Sequence, residues 1–157
     1  AVAKKLGASE GQLARAVALS HLTTIYIKSF TGGLSALCGC SIAAATGAGA
    51  AIAWLLGGNA GEIEGTIKNI IANLTGVICD GGKVGCALKL STAAAVAVES
   101  ALLALRGVVV PDTNGIIGRT VEDTVKNLGV VSDPGMVATD KVILDIMLSK
   151  NAACPFC

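Results

Sequence analysis

The chain has 157 residues, 12 Lys and Arg against 11 Asp and Glu, and a net charge of +1. That length suits one domain able to bury a core of its own. The charge balance leaves no electrostatic footprint for nucleic acid, and an aromatic share of 3% leaves few rings for bases to stack on. Apolar residues make up 53% and charged residues only 15%, below the usual charged share, so a large core, a partner or lipid must cover much of this surface.

The opening, AVAKKLGASEGQLAR, has no apolar run of the kind a secretory signal needs, and none is expected. Ser9 and Gln12 stand at capping-box spacing and start a helix through SEGQLARAVALSHLTTIYIKSF, with Leu13, Ala14 and Val17 recurring on one face. The glycine pair Gly32-Gly33 ends it. Between Lys28 and Glu62 the sequence carries no charge. GLSALCGCSIAAATGAGAAIAWLL is long enough to span a bilayer. It is built from Ala and Gly rather than Leu, Ile and Phe, however, and lacks flanking aromatic and basic anchors. Small side chains favour close packing inside a protein, so the expectation is a central buried helix and no membrane span.

Asn59 and Glu62 repeat the capping-box signal, and Ile63, Ile67, Ile70, Ile71 and Leu74 follow at helical spacing. CALKLSTAAAVAVESALLALRG reads as a long helix closed by Gly107. VVVPDTNGIIG favours a loop, because Pro111 and Asn114-Gly115 interrupt any strand at Val108–Val110. Thr120 and Asp123 then open TVEDTVKNLGVV, and ATDKVILDIMLSK reads as a last amphipathic helix. Hairpin chemistry and fixed-period repeats are both missing. The fold class predicted is all-α, about six helices around the Ala/Gly-rich one.

Six cysteines without a secretion signal point to a reducing, cytoplasmic setting, where they serve as metal ligands or reactive groups more often than as disulfides. The sequon at Asn73 is discounted on the same ground. Cys79 and Cys86 are too far apart for a zinc knuckle, and Cys38 and Cys40 too close. His21 is the only histidine and reads as an ordinary face residue. An iron–sulfur cluster tolerates less regular spacing. Cys40 and Cys86 are each expected to open a helix, whose N-terminus stabilises a thiolate, and Cys79 to close a third before the turn DGGKVG, with Lys83 adding positive charge. Spacing alone leaves the alternative open: free cysteines often serve as small buried hydrophobes.

The segments LCGCSIAAATGAGAAIAWLLGG, IKNIIANLTGVICDGGKVGCALKLSTAA and TDKVILDIM resemble the alpha-chain domain of iron–sulfur L-serine dehydratases. They are more similar still to the L-cysteine desulfidases and their bacterial kin. The likeness runs from about Lys28 to Lys150, and rests on the CGCS helix start, the N-x-TG-x-x-CDG-x-K segment and the cysteine seven residues later. It implies a 4Fe-4S cluster held by Cys40, Cys79 and Cys86, with Cys38 in reserve. One iron would stay open as a Lewis acid for β-elimination from L-serine or L-cysteine, giving pyruvate and ammonia. Asp80, Lys83, Thr31 and Asn73 are the residues nominated to support the ligands or the substrate; no general base is identified.

The dehydratases carry a longer insertion between the second and third cysteines, which draws this sequence toward the desulfidase side. The CPFC tail departs from that branch, and Cys157 is nominated as a cap on the open iron. Family members are longer, and residues 1–157 correspond to their C-terminal domain. The resemblance thus implies a missing N-terminal half, a partner subunit or a homodimer. A non-catalytic metal-binding or redox-sensing helical module is the rival reading.

Overall fold

The computed structural model describes residues 1–32 and 35–153. Helix α1 (Val2–Lys5) leads into α2 (Glu10–Thr31); a π-helical turn (Cys40–Ala44) then runs straight into α3 (Ala45–Leu55). Helices α4 (Ala60–Leu74), α5 (Gly85–Ala104), α6 (Val121–Ser132) and α7 (Val137–Ala153) complete an all-α fold. The six predicted helices are present, preceded by the short α1.

The ends form where the local chemistry places them. The Ser9 hydroxyl accepts from the Gln12 N–H while the Gln12 side chain accepts from the Ser9 N–H, and Asn59 and Glu62 repeat the exchange at α4. Thr120 caps α6 by accepting from the Asp123 N–H. Val108–Val110 forms no strand; Asn69, buried on α4, donates to the Val108 carbonyl and accepts from the Val110 N–H, both at 2.9 Å.

Helix α3 is the centre, packed by α2, α4 and α5. Within 42–54 only Ala44 is exposed, as its all-round apolarity predicts. Ile67, Ile70, Ile71 and Leu74 of α4 are buried against it, with Ile63 partly covered. Two expectations fail. Leu13 and Val17 are exposed, and α2 packs instead through Ala16, Ser20, Thr24, Ile27 and Thr31. Where α3 comes closest, at Gly47, the stripe carries only the small polar residues Ser20 and Thr24. Helix α7 is also not amphipathic in the predicted sense: Val142, Leu144, Ile146 and Leu148 are exposed, and within residues 137–150 only the stripe Thr139, Ile143 and Met147 turns partly inward.

By length and composition α5 alone among the described helices reaches a membrane span, but it lies packed against α3 and α4. The close α2–α3 approach depends on Gly47. A Cβ there would run into Thr24 Oγ1 and the Ser20 carbonyl oxygen, the latter a backbone atom that cannot swing away. Gly47→Ala is therefore expected to cost about 1–3 kcal/mol through overpacking, lowering the midpoint in a thermal melt followed by circular dichroism. Gly11→Ala, at a position with nothing within 4 Å, should leave the midpoint unchanged or slightly raised.

Candidate functional site

The segment before the π turn meets the segment after α4. Leu37 and Ile78 form an isolated antiparallel bridge. The Cys38 N–H donates to the Val77 carbonyl at 3.0 Å and the Cys79 N–H to the Ala36 carbonyl at 2.6 Å. Two stretches some forty residues apart in sequence are thereby placed edge to edge, Leu-Cys-Gly-Cys beside Val-Ile-Cys-Asp. Cys79 does not end a helix, as expected from sequence; α4 stops at Leu74 and Cys79 sits in this extended bridge. Cys40 opens the π turn and Cys86 is the second residue of α5, both as expected.

Cys38, Cys40, Cys79 and Cys86 are free thiols: Cys38 is buried, Cys40 exposed, Cys79 and Cys86 intermediate. Cys40 and Cys79 line one cavity of about 290 Å³ together with Thr24, Lys28, Ser35 and Gly39. A Cβ on Gly39 would lie 3.3 Å from Lys28 Nζ, so the ammonium rests over the glycine between Cys38 and Cys40. The Cys86 thiol donates to the Gly81 carbonyl at 3.4 Å, which ties the glycine turn back to the start of α5. Among the described residues no three His, Cys, Asp or Glu side chains stand together as a site for a single metal ion.

The basic residue that organises this region is Lys89, not the nominated Lys83. Lys89 Nζ donates to Asp80 Oδ1 at 2.6 Å and to the Ile78 carbonyl at 2.7 Å. Lys83 reaches Asp80 only at 3.8 Å, with both side chains 48% exposed. The hydrogen bond from Lys89 holds the Asp80 carboxyl below its usual range. In return the bond to Asp80 raises Lys89, against the opposing effect of burial, and the neighbouring charges of Asp80, Cys38 and Cys86 add to the rise. Both partners are thus ionised at neutral pH. Sequence reasoning passed over Lys89 because it reads as one more polar position on a long helix. The available signal was its place one turn after Cys86, on the same helical face.

The other nominated residues lie elsewhere. Thr31 is buried, its hydroxyl donates to the Ile27 carbonyl of its own helix, and it lines a second cavity with Ser132 and Asp140 that shares Ser35 with the cavity of Cys40 and Cys79. Asn73 is exposed and lines a cavity with Asn69, Glu99 and Asn114 that contains no cysteine. Cys157 lies outside the described residues. A feature not nominated is Ser41, next to Cys40: its hydroxyl is buried and has no hydrogen-bond partner among the described residues. An orphaned buried hydroxyl inside a π turn is the kind of local cost that marks functional segments.

The sequence itself has relatives among known proteins. The serine dehydratase alpha chain family matches residues 1–145, and the chain belongs to that family. It is 59% identical over 144 residues to a UPF0597 protein of Alkaliphilus oremlandii, covering 92% of this chain and 34% of that protein. It is 55% identical to a UPF0597 protein of Clostridioides difficile over 94% of this chain and 35% of that one. A UPF0597 protein of Desulforapulum autotrophicum is 54% identical over 96% of this chain and 34% of its own length. The chain thus spans about a third of the length of these curated relatives. No solved structure matches.

Ser41→Ala supplies a stability test of the orphaned hydroxyl. Removing an unpartnered buried polar group should raise stability by about 1 kcal/mol, measured by urea unfolding. A loss of that size instead would show that the hydroxyl is satisfied in solution.

Proposed function

We propose that this chain is the cluster-binding part of an iron–sulfur-dependent β-eliminating lyase that takes L-serine or L-cysteine to pyruvate and ammonia. The observation that carries the reading is the Leu37–Ile78 bridge, which sets Cys40 and Cys79 on one cavity in a chain of the serine dehydratase alpha family. The donor set fits a cluster in kind. Free thiols arrive from three segments, two of them at helix starts, with Lys28 and Lys89 near the sulfurs. Cubane ligand sulfurs stand roughly 6–7 Å apart, wider than the ligands of a single ion, so the lack of a compact three-residue metal site does not count against it.

Cys40, Cys79 and Cys86 are the proposed ligands, with Cys38 the reserve for Cys40. When bound, a 4Fe-4S cluster with one open iron supplies a Lewis acid for the departing hydroxyl or thiol. The chain's own part is to hold its thiols in place, to limit water at Cys38 and to present cations on both sides of the cysteines. The reading assigns no proton abstraction to any residue here.

The rest of the enzyme comes from the remaining length that the relatives possess, or from a partner subunit. Leu22 and Ile25 on α2 are 66% and 64% exposed, and α7 leaves Val142, Leu144 and Leu148 uncovered. Such apolar faces suit a protein partner better than water. A thiol-ligated centre of this type belongs in the reducing cytoplasm.

The test uses the full-length protein reconstituted anaerobically with iron and sulfide. Iron content, visible absorption and pyruvate release from each amino acid are measured. Cys79→Ser and Cys86→Ser should each lose the cluster and the activity, while Cys154→Ser keeps both. Equal iron in all three variants would overturn the ligand assignment, and pyruvate from neither amino acid would overturn the lyase.

A further inference from the structure

We propose that Lys89 is a positioning residue for the thiol of Cys79: its ammonium grips the residues on either side of that cysteine and fastens them to the face of α5 that carries Cys86. The functional meaning rests on the lyase reading above, whereas the geometry stands by itself.

Three observations carry the proposal. Lys89 Nζ holds the Ile78 carbonyl at 2.7 Å and Asp80 Oδ1 at 2.6 Å, so Cys79 is bracketed by two bonds to one nitrogen. An ammonium has three protons and can satisfy both acceptors at once. Second, the Cys79 N–H is already committed to the Ala36 carbonyl. The residue is therefore held from the bridge side through its own backbone and from the α5 side through its neighbours. Third, Lys89 lies three residues after Cys86 on the same helix, so anything fastened to Lys89 is placed at a set distance from Cys86.

Surface ion pairs contribute little to stability on average. The Asp80 end of this pair is 48% exposed, so its value here is geometric rather than energetic. The Lys89 side chain is only 27% exposed, which leaves its ammonium little freedom to wander. Lys83 does not replace it: its ammonium reaches Asp80 loosely, and among the described residues it makes no bond on the Ile78 side of the cysteine. Without Lys89, the stretch after the bridge would keep the loose Lys83–Asp80 pair, the weak Cys86 thiol bond to Gly81, the backbone bonds of Cys86 and Ala87 to Lys83 and Val84, and the Met147 side chain beside Gly81, none of which holds the Ile78 side.

The experiment reads the individual thiols. Full-length protein is freed of iron with a chelator under anaerobic conditions and treated with iodoacetamide, and each cysteine is followed by peptide mass spectrometry. In Lys89→Met, Cys79 should be alkylated about fivefold faster through local opening, with the Cys40 rate and the thermal midpoint unchanged. Lys89→Arg should restore the slow rate. Iron retained after reconstitution should fall by about half or more in Lys89→Met, as expected for loss of a group that orients a ligand, and recover in Lys89→Arg.

An unchanged Cys79 rate in Lys89→Met, or equal acceleration of Cys38, Cys40 and Cys79, would overturn the proposal. If Lys89→Met fails to fold, Asp80→Asn decides the matter, because it weakens one arm and leaves the other in place. There an acceleration of about twofold is expected, and no acceleration would overturn the proposal. Wild-type protein that takes up no iron would defeat the lyase reading and leave the alkylation rates to judge Lys89.

Discussion

Two backbone hydrogen bonds, Cys38 to Val77 and Cys79 to Ala36, fix how the cysteine segments meet. Each such bond contributes only about 0.5–1.5 kcal/mol net, so they cannot hold the domain together. They set register. In an extended pair a slip of one residue turns every side chain to the opposite face. Such a slip would withdraw Leu37 from the core that it shares with Ile42, Ile71 and Leu74 and carry Cys79 away from the cavity of Cys40. The hydrophobic core thus enforces the register through Leu37, and the register in turn places the thiols.

The same economy runs through the packing. The core is built of Ala, Gly and β-branched residues more than aromatics, so helices approach until backbone meets side chain, as Gly47 meets α2. Small residues at the contacts leave the larger aliphatics without room inside. Leu22, Ile25, Leu88 and Leu148 are consequently turned outward. An apolar composition here does not mean a larger core; it means a small-residue core together with uncovered apolar faces. That is the surface expected of a chain spanning a third of its relatives' length.

Features governed by neighbours in sequence were legible without a structure. Ser9 with Gln12, Asn59 with Glu62, and Thr120 with Asp123 each announce a helix start, because a cap needs only three or four residues to be specified. The central helix was legible for the same reason: all-round apolarity between glycine pairs has few other meanings. Residues whose role depends on a distant partner were not. Leu13 and Val17 look like an inner face until the close approach of α3 selects Ala16, Ser20 and Thr24 instead. Periodicity places Cys79 at a helix end, whereas a long-range bridge draws it out as a strand-like residue. Lys83 stands nearer to Cys79 in sequence than Lys89 does, but the turn carries it outward while α5 carries Lys89 back.

Lys83 stands on a turn, whereas Lys28 and Lys89 stand on helices. The turn is exposed, and water screens the charge of Lys83 there. Cations on helices are held at a fixed distance. Lys28 projects from α2 over Gly39, between Cys38 and Cys40, and Lys89 projects from α5 onto the Ile78 carbonyl and the Asp80 carboxylate that flank Cys79. The two helices that supply these charges both pack on α3, whose π-turn entry carries Cys40. Lys28, Lys89 and the cysteines Cys40 and Cys86 are therefore carried on helical elements that meet at α3, and the loop that carries Cys79 is fastened to them by the bridge and by Lys89.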